Sequence, residues 1–220
     1  MKKNIPKSLA KLVIFDLDGT ITRSPNIWKH LHSELGTWNQ AKTYARKYQK
    51  GEISYEKWAK LDCALWKGTK VERILEITSE IQYFDGAKET IRQLKNSGIK
   101  VGIVSAGISF LAEKVGKDLN MDVVISNDLK ILNDTITGEI NIKVSIDNKK
   151  SIIQDIANCM SLTMSEVVVV GDHAFDLPQE AGIKIAFNPR HIDAEKVADF
   201  IVKGENLMEI FKIIKDYAIF

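Results

Sequence analysis

The chain has 220 residues, 45% of them hydrophobic, and its 31 basic residues almost balance its 29 acidic ones. This length suits one domain, or one domain with a smaller insert, and the apolar content excludes a disordered chain. A net charge of +2 with no basic stretch argues against a nucleic-acid or membrane partner. The apolar run near the start is too short for a signal peptide or a membrane span, and Cys63 and Cys159 lack metal-ligand spacing, so we expect a cytoplasmic protein with reduced cysteines.

The first strand is predicted at residues 11–15, where an apolar run leads directly into Asp16 and Asp18. Such a run is typical of a buried strand in a parallel sheet, and ligands bind outside the carboxyl ends of these strands. The two carboxylates lie on the same side of extended backbone, where they repel each other unless a cation or a shared proton joins them. Gly19 allows a tight exit from the strand, and Thr20 offers a hydroxyl. Taken alone, this D-x-D-G-T segment is equally well explained as an acidic turn after a strand.

Residues 26–80 predict helices and no convincing strand. Apolar residues recur at helical spacing, Gly36 is a stop signal, and Ser54 can cap a third helix. Thr69 and Glu72 predict a capping box for a fourth helix.

We interpret residues 23–83 as a helical cap with its own small core, inserted between the core-domain segments 1–22 and 84–220. The cap contains all four tryptophans, which are Trp28, Trp38, Trp58 and Trp66. They could shape a pocket beneath a lid, although aromatic residues in an insert more often fill its core.

After Asp85 the chain alternates between strands and helices, which predicts an α/β fold with a Rossmann-like parallel sheet. Strands are predicted at 100–104, 123–125, 167–170, 183–187 and 200–202. Helices are predicted at 86–97, 109–119, 149–160 and 205–217. Two short strands at 129–132 and 135–140 flank Asn133-Asp134, which predicts a hairpin turn.

Chemically useful side chains follow several of the predicted strands. They are Asp16, Asp18, Ser105, Ala106, Gly107, Asp172 and Asp176, together with Lys149 at the start of a helix. Carboxylates are hard oxygen ligands that suit Mg²⁺, while a serine, a helix start and a lysine suit a phosphate group. Each feature has an ordinary explanation as a cap, a solvated lysine or a turn. Their joint order along the chain predicts a phosphoryl-transfer site.

These features resemble the four motifs of the haloacid dehalogenase superfamily, in its phosphoserine phosphatase-like subgroup, over residues 11–215. The first motif matches as DLDGT, the second as Ser105 after a Val-Gly-Ile-Val strand, and the fourth as GDHAFD. Lys149 matches the third motif because its separation from Asp172 equals that of the family. The resemblance implies the haloacid dehalogenase fold with a small helical cap after the first strand.

The resemblance also implies an Mg²⁺-dependent phosphatase. Asp16 would attack phosphorus to form an aspartyl-phosphate. Asp18 would protonate the leaving oxygen and then activate the hydrolytic water. Lys149 and the backbone amides around Ser105, including those of Ala106 and Gly107, would neutralise the phosphate.

The implied metal-site residues are all aspartates. Asp16 and Asp172 would bind Mg²⁺ directly, and Asp18 would add its backbone carbonyl. Asp176 would act through a bound water or a hydrogen bond.

Three positions depart from the family pattern. Pro25 stands where the family has a glutamate for the substrate amine, Asp62 where it has an arginine for the substrate carboxylate, and Phe175 where it has an asparagine. We therefore hypothesise that the substrate is a small phosphorylated metabolite whose other end is apolar, aromatic or cationic, with phosphoserine as the alternative. A shift of the cap alignment would place Lys60 or Arg46 at the arginine position.

Other functional classes stay open at this stage. A phosphotransferase to an alcohol acceptor would use the same chemistry, and a binding protein could keep the fold without turnover. A receiver-like signalling module also accepts phosphate on an aspartate, but such modules are about half as long and have an adjacent acidic pair. A monomer or a homodimer is expected.

Overall fold

The computed structural model describes residues 8–24 and 26–219, which contain nine strands and nine α-helices. The strands are β1 (Ser8–Leu9), β2 (Leu12–Phe15), β3 (Lys100–Ile108), β4 (Val123–Leu132), β5 (Thr135–Asn141), β6 (Val167–Gly171), β7 (Ile183–Phe187), β8 (Phe200–Val202) and β9 (Ala218–Ile219). The helices are α1 (Ile27–Glu34), α2 (Trp38–Gln49), α3 (Tyr55–Ala64), α4 (Val71–Ser79), α5 (Ala87–Asn96), α6 (Ser109–Leu119), α7 (Lys149–Cys159), α8 (Ile192–Val197) and α9 (Met208–Tyr217).

Seven strands form one sheet in the order β5-β4-β3-β2-β6-β7-β8, and the remaining two, β1 and β9, pair with each other. All neighbours in the large sheet are parallel except β4 and β5. In the register of the central strand, Phe15 lies beside Ile103 on one side and Val170 on the other. The predicted α/β fold with a parallel sheet is confirmed.

The apolar runs of β2 and β6 are buried because both faces of the sheet are covered. Alternate residues of β2 contribute to different clusters: Val13 and Phe15 belong to the larger cluster, whereas Leu12 and Ile14 belong to the smaller one. The smaller cluster includes Ile153 of α7. This packing fixes the positions at which the central strands end.

The cap helices α1 to α4 share the main core. Trp28 and Trp66 belong to the same buried cluster as Phe15 of the sheet, so the predicted separate core of the insert is wrong. The two connections to the cap run side by side, with the amide of Arg23 donating to the carbonyl of Gln82 at 2.9 Å. The domain boundaries at residues 23 and 83 stay a prediction.

Several element ends differ from the predictions. β3 continues to Ile108 with a register shift after Val104. The predicted Thr69–Glu72 capping box is wrong, because Lys70 caps α4 without a side-chain hydrogen bond. Thr69 instead accepts a hydrogen bond from the amide of Ile136 in β5, which ties the cap to the hairpin.

The hairpin between β4 and β5 is confirmed. Asn133 and Asp134 both have positive φ, 48° and 56°, as a two-residue turn of this kind requires.

Two expectations from composition concern the cysteines and the membrane. Cys63 is buried, Cys159 is exposed, and both are free thiols. In the described ranges 8–24 and 26–219, no helix has the length and apolar character needed to cross a bilayer.

Candidate active site

Side chains from three neighbouring strand ends converge on a cavity of about 180 Å³. Asp16 follows β2, Ser105 lies in β3 and Asp172 follows β6, and the strand register brings these positions to one edge of the sheet. The predicted site residues that line this cavity are Asp16, Asp18, Ser105, Ala106, Gly107, Lys149, Asp172 and Phe175. The crevice therefore lies at the carboxyl ends of the parallel strands, as in other open α/β sheets.

Lys149, the first residue of α7, is buried between two carboxylates. Its Nζ donates to Oδ1 of Asp16 and to Oδ1 of Asp176, each at 2.6 Å. Burial disfavours the charged lysine, but the carboxylates of Asp16 and Asp176 outweigh this effect and raise the pKa of Lys149. The ammonium is therefore permanently charged and held against Asp16.

Asp176 is connected to the site through its hydrogen bond with Lys149. Its Oδ2 accepts a hydrogen bond from the backbone amide of His173 at 2.9 Å, so both carboxylate oxygens are engaged. Burial raises the pKa of Asp176 to about 7, although Lys149 opposes the shift. This geometry favours the predicted indirect role of Asp176 over direct metal coordination.

Asp18 is placed to carry a proton. Burial, followed by the negative charge of Asp16, raises its pKa to about 8, and its Oδ1 has no hydrogen-bond partner among the described residues. A Cβ at Gly107 would lie 3.3 Å from Oδ2 of Asp18 and 3.1 Å from Oγ of Ser105. Glycine at position 107 thus lets the carboxyl group and the hydroxyl approach the same space.

The segment Ser105-Ala106-Gly107 is held in place by hydrogen bonds from the cap and from β4. The carbonyl of Ala106 accepts hydrogen bonds from Nε1 of Trp28 at 3.1 Å, from the hydroxyl of Tyr55 at 3.0 Å and from the side-chain amide of Asn127 at 3.0 Å. The segment lies in β3, ahead of α6, so it extends the strand and does not open the helix. Trp28 and Tyr55 belong to the cap, and their contacts with Ala106 could not be inferred from local patterns.

Asp172 has two basic neighbours that the sequence motifs did not assign. Nδ1 of His173 lies 2.6 Å from Oδ1 of Asp172, and Nε of Arg190 lies 3.8 Å from Oδ2. Burial raises the pKa of Asp172. Burial would lower the pKa of His173, but the charge and hydrogen bond of Asp172 raise it instead.

The three departures from the family pattern lie at different places. Phe175 lines the cavity beside Asp16, and its ring stacks on His173 and lies 5.8 Å from Nζ of Lys149. Asp62 lies in α3 and lines an adjoining cavity instead. Pro25 lies outside the described residues. Lys60 and Arg46, the alternative cap residues, are both exposed.

The acidic residues fit a divalent cation. Ligand atoms of Asp172, His173 and Asp176 lie within 4.8 Å of one another. Oδ1 of Asp18 and Oδ2 of Asp172 are buried without a hydrogen-bond partner in the described part of the chain. Buried, mutually repelling oxygens of this kind are stabilised by a bound hard cation.

Comparisons with known proteins identify the family of the chain. The sequence model of the family described as haloacid dehalogenase-like hydrolase matches residues 10–178. The chain is 32% identical to the phosphoserine phosphatase of Archaeoglobus fulgidus over 93% of its own length and 60% of that protein. It is 31% identical to the phosphoserine phosphatase of Methanocaldococcus jannaschii, over 93% of this chain and 98% of that one.

A solved structure described as a phospho-aspartyl intermediate analogue of phosphoserine phosphatase superposes with a TM-score of 0.81 at 28% identity, covering 93% of this chain and 99% of that one. The chain therefore belongs to the haloacid dehalogenase-like hydrolases, in the subgroup that contains the phosphoserine phosphatases. The predicted superfamily, fold and phosphatase class are confirmed.

Proposed function

We propose that the chain is an Mg²⁺-dependent hydrolase of small phosphomonoesters that works through an aspartyl-phosphate on Asp16, with O-phospho-L-serine as the first candidate substrate. One observation carries the proposal: Asp16 faces the cavity with Lys149 against one carboxylate oxygen and Asp18, a carboxyl with a pKa of about 8, beside it. A nucleophile, a fixed positive charge and a proton donor thus surround one space.

The first step forms a bond between an Asp16 oxygen and phosphorus and breaks the ester bond. The leaving alkoxide takes the proton of Asp18, whose raised pKa keeps it protonated near neutral pH. Lys149 offsets the repulsion between the Asp16 carboxylate and the phosphate.

The second step returns the enzyme to its starting state. A water molecule attacks phosphorus while the Asp18 carboxylate accepts one of its protons, and the bond from phosphorus to Asp16 breaks. Inorganic phosphate is released, and Asp18 is again protonated.

Asp16 and Asp172 would hold Mg²⁺ through their side chains, and Asp18 through its backbone carbonyl. When bound, the ion would neutralise charge on the phosphate oxygens. Asp176 supports these ligands indirectly, because its carboxylate binds the same ammonium of Lys149 as Asp16 does.

The names of the relatives support phosphoserine as a candidate, and a cavity of about 180 Å³ suits a small ester. A cytoplasmic location and a monomeric or homodimeric state stay predictions.

The test is phosphate release from a panel of small phosphomonoesters, including O-phospho-L-serine, with and without Mg²⁺. We expect Asp16→Asn to fold and to lose turnover by a factor of about 10⁴ or more, because its amide cannot act as the nucleophile. Asp193→Asn, at an exposed position on α8, serves as the matched control. Retained Mg²⁺-dependent turnover in Asp16→Asn would contradict the proposal, and a phosphorylated acceptor in place of free phosphate would indicate a phosphotransferase.

A further inference from the structure

Part of the cavity beside Asp16 has no role in the proposed mechanism. Two side chains from outside the cap helices line it together with the reacting groups: Phe175, between β6 and β7, and Ile146, in the loop that leads to Lys149. Neither side chain has a hydrogen-bonding group. Phe175 and Ile146 therefore give the cavity an apolar wall that is separate from its cap residues.

Phe175 lies close to the groups that would hold the phosphate. Its ring stacks on His173 with the centroids 4.8 Å apart, and its centroid lies 5.8 Å from Nζ of Lys149. The same Nζ donates to Asp16, so the ring is near the nucleophile as well. The amide of His173 donates to Asp176 at 2.9 Å, which fixes the turn that carries Phe175.

The turn that carries Ile146 is fixed by Asn148. Oδ1 of Asn148 accepts a hydrogen bond from the amide of Ser145 at 2.7 Å, and its Nδ2 donates to the carbonyl of Lys143 at 3.0 Å. Ile146 is half-buried and precedes Lys149, the first residue of α7, by three positions. The loop thus presents a positioned apolar side chain to the cavity.

The polar side chains that line the cavity outside the reacting groups already have protein partners. They are Asn26, Trp28, Tyr55, His173 and Arg190. Trp28 and Tyr55 both donate to the carbonyl of Ala106, and Oδ1 of Asn26 accepts from the amide of Lys29. A polar group of a ligand would compete with these hydrogen bonds, whereas an apolar group would leave them intact.

We propose that the apolar wall contacts the carbon chain of the ester, so that the enzyme prefers phosphate esters of apolar alcohols. This rests on the proposed function, which places the phosphate at Asp16. Each methylene that leaves water for the wall favours binding, and a hydroxyl placed there loses its hydrogen bonds to water. Phe175 stands where the family pattern has an asparagine, so this departure is assigned to substrate choice.

The first test measures kcat/KM of the unaltered enzyme for methyl, ethyl, n-propyl and n-butyl phosphate, whose alcohols are nearly equal as leaving groups. We expect an increase of about threefold for each added methylene. We also expect n-butyl phosphate to exceed its analogue with a terminal hydroxyl in place of the methyl group by about tenfold.

O-Phospho-L-serine, the candidate that the names of the relatives support, carries two charged groups in its alcohol part, and its kcat/KM should lie below that of n-butyl phosphate. Values that do not rise with chain length, or a higher value for phosphoserine, would overturn the proposal. No phosphate release from any ester would contradict the phosphatase function instead.

The second test repeats the alkyl series with Phe175→Asn and Ile146→Thr, which change one side of the wall each. We expect the increase per methylene to fall below about twofold in both variants, and Phe175→Leu, which restores an apolar side chain, to keep most of it. Phe211→Asn, which removes a half-buried ring on α9, is the matched control and should keep the whole increase.

Thermal unfolding shows which of these variants are folded. The full increase in folded Phe175→Asn and Ile146→Thr would exclude both residues from the substrate site. If Phe175→Asn does not fold, Ile146→Thr and Phe175→Leu decide the question by the same ratio.

Discussion

Asp16, Lys149 and Asp176 form a buried group of two carboxylates around one ammonium, with both contacts at 2.6 Å. Removing Lys149 would leave two buried carboxylates without a counter-charge, which costs about 3–5 kcal/mol. The three side chains come from the end of β2, the start of α7 and the turn after β6, so the group also joins three separate elements. The same contacts that position the nucleophile therefore hold these elements together.

A single glycine makes the approach of Asp176 possible. A Cβ at Gly171 would overlap the Cβ of Asp176, which cannot move without its backbone. We expect Gly171→Ala to lower the free energy of unfolding by about 2 kcal/mol and to reduce kcat, because Asp176 is displaced from Lys149. Urea denaturation and steady-state kinetics measure the two effects.

Gly102 in β3 provides the matched control. A Cβ there would lie 2.8 Å from Cδ1 of Ile14, the end of a flexible side chain that can turn aside. Gly102→Ala should therefore lose less stability and keep its kcat. If the two variants behaved alike, close approach at Asp176 would not be the reason for glycine at position 171.

At the scale of elements, one carbonyl group joins two cap helices to the phosphate-binding segment of the sheet. Trp28 of α1 and Tyr55 of α3 both donate to the carbonyl of Ala106, beside Ser105. Burial raises the pKa of the Tyr55 hydroxyl, so it remains a donor at neutral pH. These two bonds connect the position of the cap directly to the position of the phosphate-binding segment.

We expect the double variant Trp28→Phe, Tyr55→Phe to loosen the cap. Each lost hydrogen bond costs about 1 kcal/mol. Amide hydrogen exchange in α1 and α3 should become faster, while exchange in β2 and β6 should change little. Tyr44→Phe, at a half-buried position on α2, is the control. Unchanged exchange in α1 and α3 would show that these bonds do not hold the cap.

The elements that the sequence predicts well are those with strong local patterns. The strand ending at Asp16, the valine strand and the Asn133-Asp134 turn are fixed by buried runs or by backbone preference. The pairing of β1 with β9 was not predicted, because it joins two-residue strands near opposite ends of the chain. The extension of β3 also depends on a distant partner, Asn127 of β4.

In the candidate site too, local patterns predict some residues, whereas other contacts depend on tertiary packing. The carboxylates and Ser105 are predicted because each follows a predicted strand, and Lys149 because its separation from Asp172 equals that of the family it resembles. The pairing of His32 with Asp62 was not predicted, since it depends on how two cap helices pack against each other. Local patterns thus identify the reacting groups, whereas tertiary packing determines what surrounds them.

For the whole molecule, the buried carboxyl groups of the site make the stability of the fold depend on pH. Burial raises the pKa of Asp18 from 3.8 to about 8 and that of Asp176 from 3.8 to about 7. At a pH between the unfolded and the folded pKa of each carboxyl, the unfolded chain has lost a proton that the metal-free folded protein still holds. The folded state then binds more protons than the unfolded state, so the free energy of unfolding falls as pH rises.

We expect the metal-free protein to lose about 2–4 kcal/mol of stability through Asp18 between pH 5 and pH 8, since one pKa unit corresponds to about 1.4 kcal/mol. The measurement is urea denaturation of the unaltered protein and of Asp18→Asn across this range, with Asp193→Asn as control. Exposed acids whose pKa is lowered by lysine or arginine partners are ionised in both states above pH 5, so they add little to the slope.

The free energy of unfolding of the unaltered protein minus that of Asp18→Asn should decrease steadily as pH rises, because only the aspartate titrates at this position. Mg²⁺ should offset the loss, since a cation bound to the Asp16 and Asp172 carboxylates stabilises the folded state by mass action, and protonation of Asp172, whose pKa is raised by burial, competes with the cation at low pH. The increase in Tm on adding Mg²⁺ is therefore expected to be larger at pH 8 than at pH 5. A difference that does not change with pH would mean that Asp18 is ionised in the folded protein, and it could not then act as the proton donor.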